Sequence, residues 1–151
     1  MSTVQLYEKD FYAWTQAQAA LLQAEEFAEL DLPNLIEEIE AMGRRDRREL
    51  TSRLTVLIMH LLKWQYQPTP HGRPQPRSWL NTISTQRREL DLVLRDSPSL
   101  RRELPDHIEY AWPRARVDAS RETGLDLKSF PIACPYTQAE ILDDAFLPTD
   151  K

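Results

Sequence analysis

Residues Pro33 to Gln67 form the longest apolar-patterned stretch of the chain, PNLIEEIEAMGRRDRRELTSRLTVLIMHLLKWQYQ. The stretch opens with Pro at a first-turn position, acids follow directly, and it ends before Pro68, which are signals that start and stop a helix. At 3.6 residues per turn its apolar residues fall in one seam. The seam contains Ile36, Gly43, Leu50, Leu57 and Trp64, with Ile39, Leu54, Ile58 and Leu61 beside it. This pattern predicts a long central helix whose axis continues through Gly43.

Three polar residues recur every seven positions along the edge of the same seam. Asp46, Arg53 and His60 are in register with Ile39. A heptad step of about 10 Å is too long for direct contact between them, so each needs a partner elsewhere. Two interpretations stay open: structural polar groups that are satisfied individually, or a polar site inside a helical bundle.

The other helices are predicted from the same kind of pattern. Residues Tyr7–Glu26 present an aromatic and apolar face, and Asp31 is placed to cap the helix that opens at Pro33. The short connection favours antiparallel packing of these two helices. Residues Pro68–Pro76 contain four Pro and one Gly, which predicts an extended loop, and a third helix is predicted over Ser78–Arg95.

The C-terminal third predicts a segmented helix and a docked tail. A helical region capped by Ser97 is expected to run to Thr123, where Gly124 ends it, with Pro105 and Pro113 breaking or bending it. The tail beyond is too apolar to stay free, and capping-box spacing at Thr137 to Glu140 predicts one short helix to about Asp144. We therefore predict a single all-α domain over residues 1–151: a bundle of four main helical segments with a long central helix and a C-terminal tail that wraps the bundle.

The composition of the chain indicates the cellular compartment in which the protein is expected. The chain has 151 residues, 41% of them hydrophobic, and a single Cys, Cys134, so an intramolecular disulfide is impossible and a reducing compartment fits best. The N-terminal sequence MSTVQLYEKDFY lacks the features of a signal peptide, and the apolar run Leu54–Trp64 is too short to span a bilayer. We expect a cytoplasmic protein without a membrane segment.

Charge is distributed unevenly along the chain. Residues 1–42 carry a net charge of −8, residues 43–103 carry +7 and residues 104–151 carry −4. A basic middle segment is compatible with nucleic-acid binding through eight arginines: Arg44, Arg45, Arg47, Arg48, Arg87, Arg88, Arg101 and Arg102. Acids are interleaved with these arginines and the pI is near 5.2, which argues against that alternative and favours neutralisation within the fold.

Several sequence features recur together in one known family. The segments are YEKDFYAW from Tyr7, LDLPNLIEEI from Leu30, Met42-Gly43, HLLKWQY from His60, Ser78-Trp79, Gln86-Arg87, Ser97 to Leu100, and Cys134-Pro-Tyr136. Together they resemble a mostly cyanobacterial family known only as domain of unknown function 29. The resemblance implies a compact, nearly all-α protein and implies no catalytic residues, because the family has no assigned activity.

The candidate site residues come from the inner faces of the helices. Arg87 lies on the inward face predicted for the third helix, and Asp10, Glu38 and Asp46 are the acids expected to meet it or the residues Arg53 and His60. Metal-binding spacings of the Glu-x-x-His type and glycine loops for phosphate are absent, so no metal and no cofactor is predicted. We expect a soluble helical interaction module that binds a protein partner or itself and has no catalytic activity. A helical bundle that binds a small ligand or metal, with or without enzyme activity, is the alternative.

Overall fold

The structure is a computed structural model that describes residues 2–67 and 76–149, and every regular element in these residues is helical. The α-helices are α1 (Thr3–Lys9), α2 (Phe11–Gln23), α3 (Leu32–Tyr66), α4 (Arg77–Asp96), α5 (Leu104–Thr123) and α6 (Gln138–Leu142). Short 3₁₀ segments cover Phe27–Glu29, Pro98–Glu103 and Leu127–Ser129. The prediction of an all-α bundle with a long central helix is confirmed. The loop predicted at Pro68–Pro76 lies, except for Pro76, outside the described residues.

The residues cluster into two compact units, Met1–Arg45 and Asp46–Lys151. Helix α3 is continuous from Leu32 to Tyr66 and contributes residues to both units. Its axis continues through Gly43, as expected from the preserved heptad register. The single domain over residues 1–151 stays a prediction.

In the first unit, the predicted helix Tyr7–Glu26 is divided into α1 and α2. The backbone at Asp10 leaves the helical region, with φ −149° and ψ 83°, and the Asp10 carboxylate accepts a hydrogen bond from the Ala13 amide at 3.0 Å. An acid that caps a new helix from its own position competes with helix continuation, and here capping wins. The prediction of one uninterrupted helix is therefore wrong at Asp10.

Pairs of side chains show that α1 and α2 run antiparallel to the start of α3. Tyr7 donates to Glu38 at 2.6 Å, whereas Trp14, seven residues later, donates to Asp31 at 3.0 Å. As the residue number rises along α1 and α2, the residue number of the partner falls, which identifies antiparallel packing, as predicted. Trp14 and Gln18 are the buried residues of α2, each 2% exposed.

Asp31 is the polar centre of the first unit. Its side chain is buried and accepts hydrogen bonds from the Trp14 indole at 3.0 Å and the Asn34 amide group at 2.7 Å, while its own backbone N–H donates to Gln18 at 2.9 Å. Burial alone would raise the pKa of Asp31, but the bonds from the Asn34 side chain, the Trp14 indole and the Asn34 backbone outweigh it and lower the pKa. Asp31 directly precedes α3 and its carboxylate accepts a bond from the backbone N–H of Asn34 in the first turn, so the predicted cap is confirmed.

The second unit holds the main hydrophobic core, which α3 supplies from Leu50 onward. Leu50, Leu54, Leu57, Ile58 and Leu61 are each 0% exposed. Residues of α4 and α5 join them in one cluster: Ile83, Leu90, Leu94, Leu104, Ile108, Ala111, Trp112, Ala115 and Ala119. Apolar residues that repeat every three or four positions on three helices are thus buried together.

The helical region predicted from Ser97 to Thr123 is segmented directly before Pro105, as expected, but Pro113 does not break it. Pro105 lies in the first turn of α5, where its missing N–H costs nothing, and the segment Pro98–Glu103 before it is 3₁₀. Pro113 lies inside α5 without ending the helix. Both Pro113 and Glu109, whose carbonyl loses its helical donor, are exposed, so water can replace the lost bond. Gly124 ends α5 in the left-handed region with φ 76°, as predicted.

The tail wraps the second unit by bonding to three helices. Trp112 of α5 donates to the Ile132 carbonyl at 2.8 Å, Tyr136 donates to Gln65 of α3 at 2.7 Å, and Arg87 of α4 donates to the Ile141 carbonyl at 2.9 Å. The capping box predicted at Thr137 is present and opens α6, which ends at Leu142. The predicted docking of the tail is confirmed.

Candidate functional site

The polar residues that repeat along α3 each have a different partner. Asp46 accepts a hydrogen bond from Ser97 at 3.3 Å, so the Ser97 hydroxyl does not cap the following segment as expected. Arg53 donates to Gln86 at 3.5 Å and lies 3.5 Å from Glu49 and 3.9 Å from Glu89.

The His60 ring bonds within its own helix. Its Nδ1 lies 2.8 Å from the Val56 carbonyl oxygen, and because a carbonyl can only accept, Nδ1 carries the proton. Burial lowers the pKa of His60, and the bond to Val56 only partly offsets it. His60 is therefore a neutral, half-buried residue at neutral pH.

Arg87 is the most buried cation of the candidate set, with 4% exposure. Its Nε donates to the Ile141 carbonyl at 2.9 Å and its Nη2 to the Glu140 carbonyl at 3.2 Å. The inward face predicted for Arg87 is confirmed, but its partners are backbone carbonyls and not the expected acids. Burial lowers its pKa, against the opposing charges of Asp144 and Asp143. Arg53 is less buried, with 32% of its side chain exposed.

The two acids of the first unit are engaged locally. Asp10 is exposed and caps α2, and Glu38 accepts the Tyr7 hydroxyl, a bond that raises the pKa of Tyr7 to about 12. Within the described residues, no hydrogen bond or ion pair joins one of the six candidates to another. A ligand site formed by His60, Arg53, Arg87, Asp46, Asp10 and Glu38 stays a prediction.

A polar network around His107 was not found by sequence reasoning. The Thr51 hydroxyl lies 2.8 Å from His107 Nδ1, while Nε2 lies 3.4 Å from Glu103, which in turn pairs with Arg47 at 3.0 Å. The position of His107 between Pro105 and Pro113 did not indicate that its side chain would be buried against α3.

A hydroxyl, an imidazole and a carboxylate follow one another here in the same order as the groups of a hydrolase triad. Thr51 also lines a groove of about 1100 Å³ between α3 and α5. However, Thr51 lies in the middle of α3, where backbone N–H groups are engaged in helical bonds and cannot stabilise an oxyanion. We interpret the network as a bridge that fixes α5 on α3.

The first turns of α3 expose the apolar face that the sequence predicted to be buried. Leu32, Ile36 and Met42 are each 53% exposed and Ile39 is 61% exposed, whereas Leu57 in the same seam is fully buried. The prediction of a buried seam is therefore wrong for this part of the helix. The physical reason is that periodicity identifies an apolar face but does not supply an element to cover it.

Part of the basic segment is neutralised by ion pairs on the surface. Arg44 lies 2.9 Å from Glu37 and 3.8 Å from Glu40, and Arg95 lies 2.9 Å from Asp91. Such pairs reduce the uncompensated positive charge that phosphate backbones need. Weak or absent nucleic-acid binding remains a prediction.

Metal clusters and membrane-spanning helices are both absent from residues 2–67 and 76–149. No group of three or more His, Cys, Asp or Glu side chains in this part of the chain is arranged to hold a metal ion. Likewise, none of the described helices combines the length and the apolar character needed to cross a membrane. The absence of a cofactor stays a prediction.

Comparison with known proteins identifies a family and no closer relative. Neither the curated proteins nor the solved structures include a match to this chain. The family model described as "Domain of unknown function DUF29" matches residues 6–147, which is nearly the whole sequence and covers most of both units. The chain therefore belongs to the DUF29 family.

Proposed function

We propose that this protein is a helical interaction module that pairs with a second copy of itself. The contact is the exposed α3 face, which we define as Leu32, Ile36, Ile39 and Met42. The observation that carries the proposal is the exposure of these four residues, which is between 53% and 61% for each. Spacings of four, three and three residues place them along one side of the helix.

Leaving this face in water is costly. Apolar surface contributes about 25 cal/mol for each Å² removed from water, and four adjacent large side chains offer a continuous patch. Scattered exposed apolar residues are common in proteins, but a helical stripe of them is typical of a surface that packs on another helix.

A second copy fits because the face is complementary to itself. In an antiparallel pair of α3 helices related by a two-fold axis at Ile39, that residue meets its own copy and Ile36 meets Met42 of the other copy. Interfaces of this kind are isologous, so one apolar patch serves both sides. The close approach is helped by Gly43, around which an added side chain would meet nothing within 4 Å.

Charges at the two ends of the face also match in this arrangement. Arg45 follows the face next to Arg44, whose charge is already paired with Glu37 and Glu40, while the turn before α3 carries the exposed acids Glu26 and Glu29. An antiparallel pair brings the basic end of each copy next to the acidic end of the other. A parallel pair would instead place like charges together, which is unfavourable.

Sedimentation or light scattering tests this proposal directly. We expect the mass of the wild type to rise from monomer to dimer between ~1 µM and ~1 mM, a range that covers binding free energies of about −8 to −4 kcal/mol. The double variant Ile36→Asp with Ile39→Asp should stay monomeric and folded. Leu80→Asp with Leu92→Asp, two changes at positions of α4 that are 37% and 45% exposed, is the matched control and should dimerise like the wild type.

A monomeric wild type over the whole range would overturn the proposal. So would a dimer that the double variant retains, because the contact would then lie elsewhere. A larger oligomer that dissociates only in the double variant would keep the exposed α3 face as a contact but contradict the two-fold pair.

A cytoplasmic location is part of the same proposal. The single thiol, Cys134, is half-buried, and burial is the main cause that raises its pKa, so it is a poor nucleophile for disulfide exchange. A chain with one such thiol gains nothing from an oxidising compartment. Fractionation of cells that express the tagged protein tests the location.

A further inference from the structure

We propose that the second unit also contains a binding site for a small molecule that carries a phosphate dianion. The site, here called the arginine pocket, is a cavity of about 610 Å³. Its cationic lining is Arg87, Arg88 and Arg95 of α4 and Arg101 of the 3₁₀ segment that follows. This site is independent of the exposed α3 face and of the proposed self-association.

Arg87 gives the pocket a rigid, preorganised donor. Two of its nitrogens, Nε and Nη2, are fixed by backbone carbonyls of the tail at 2.9 and 3.2 Å. For Nη1, no hydrogen bond to another described residue is present. A guanidinium that is already ordered and largely desolvated loses little entropy when it binds an anion.

The pocket has an excess of positive charge. Arg95 is paired with Asp91 at 2.9 Å, which leaves Arg87, Arg88 and Arg101 facing the single carboxylate of Asp144 among the lining residues. The lining therefore carries a net charge of +2, or +1 when Asp143, whose charge also acts on Arg87, is included, in a chain whose net charge is −5. A phosphate dianion neutralises this excess, and the planar guanidinium groups match its oxygens in bidentate geometry.

Size and shape favour a small ligand over a polymer. A volume of about 610 Å³ falls within the range of ~300–1000 Å³ that is typical of small-molecule sites. Leu94 and Leu142 also line the pocket and can contact the uncharged part of a phosphate ester. A nucleic acid needs instead an extended basic surface that follows its backbone.

Calorimetric titration of the full chain with inorganic phosphate and with ribose 5-phosphate tests the site, and ribose and sodium chloride serve as matched controls. We expect both phosphates to bind and both controls to give no heat of binding. Binding should weaken when the pH is lowered from 7.5 to 5, because a phosphate monoester loses its second charge below a pKa of about 6.

The informative variant is Arg88→Gln with Arg101→Gln. Both side chains are exposed, so their replacement leaves the core intact, whereas Arg87 is buried and its loss affects folding. The double variant should bind phosphate at least tenfold more weakly. Arg102→Gln changes the neighbouring exposed arginine, which does not line the pocket, and should bind like the wild type.

Equal affinity of the wild type and the double variant would overturn the site. An equal loss in Arg102→Gln would also overturn it, because general electrostatic attraction would then explain the binding. Binding of inorganic phosphate without binding of ribose 5-phosphate would also overturn the proposal, because the pocket would then admit the free anion and not a phosphate ester. A variant with Ile36→Asp and Ile39→Asp should bind phosphate normally, which separates failure of this site from failure of self-association.

Discussion

Replacement by Ala at two equivalent positions of α3 should lower the free energy of unfolding by different amounts, because one position is buried and the other is exposed. Leu57 and Ile36 are three heptads apart and occupy the same position of the repeat, yet their exposures are 0% and 53%. Leu57→Ala removes three buried carbon atoms, or ~2.4 kcal/mol at about 0.8 kcal/mol each, and the residual cavity raises the cost to about 3–5 kcal/mol.

The cost at Ile36 should be much smaller in the monomer. About half of its side chain is already in water, so Ile36→Ala loses roughly 1 kcal/mol of transfer free energy and leaves no cavity. Ala has a higher helix propensity than Ile, and this difference offsets up to about 0.4 kcal/mol of the loss. We therefore expect a cost below about 1 kcal/mol.

Urea unfolding, monitored by far-UV circular dichroism, measures the loss of unfolding free energy for both variants when the slope of the transition is unchanged. At low protein concentration, Leu57→Ala should shift the midpoint strongly and Ile36→Ala slightly. At a concentration that populates the dimer, the cost of Ile36→Ala should grow, because the wild type gains stability by association that the variant lacks. Equal costs at low concentration would refute the division of the seam, as would a loss below about 1 kcal/mol for Leu57→Ala.

Five further substitutions test backbone conformation, hydrogen bonding and ionisation by thermal or urea unfolding. Gly43→Ala should stabilise the fold by up to about 1 kcal/mol because the added methyl meets nothing within 4 Å, whereas Gly124→Ala, at φ 76°, should cost about 1 kcal/mol. Tyr136→Phe should cost about 1 kcal/mol for its lost 2.7 Å hydrogen bond, and Tyr110→Phe, 78% exposed, should have no effect. The pKa of Asp31 is lowered in the fold, so its ionised form stabilises above the unfolded pKa of about 3.9 and this contribution is lost as pH falls through the folded pKa. Asp31→Asn should therefore destabilise at pH 7 and approach the wild type at about pH 2; a constant difference would contradict this ionisation.

Local signals made most helices predictable from the sequence. The third helix was predicted over Ser78–Arg95 and extends over Arg77–Asp96. The capping box predicted at Thr137 and the helix end predicted at Gly124 are also present, because capping depends on residues within one turn.

The errors occur where two local tendencies compete. Asp10 can either continue a helix or cap a new one, and the aromatic residues on both sides of it fit either outcome. Pro113 removes a helical bond in any sequence, but the cost depends on whether the freed carbonyl reaches water. At Asp10 the deciding contact is a local cap, its bond to the Ala13 amide, whereas at Pro113 the decision depends on the exposure of Glu109, which only the tertiary structure defines.

The candidate site was less predictable than the fold for a related reason. The heptad step correctly placed Asp46, Arg53 and His60 along one edge of α3, but periodicity cannot identify the partner that each finds on another element. Arg87 was correctly predicted to be buried, and its partners proved to be carbonyls of the tail, 53 and 54 residues away in sequence. Such distant contacts leave no spacing that a sequence pattern can report.

Between the exposed and the buried parts of its seam, α3 is held by polar contacts, such as Asp46 with Ser97 and Arg47 with Glu103, and not by core packing. Every residue from Met42 to Glu49 is exposed, so this segment has no core to fix it. Ion pairs within the helix, such as Arg44 with Glu40 and Arg53 with Glu49, contribute only about 0.2–0.5 kcal/mol each. Gly43 lowers helix propensity in the same segment. Association through the exposed α3 face would add packing at the start of this segment, and self-pairing would thus stabilise the part of the helix that the monomer supports least.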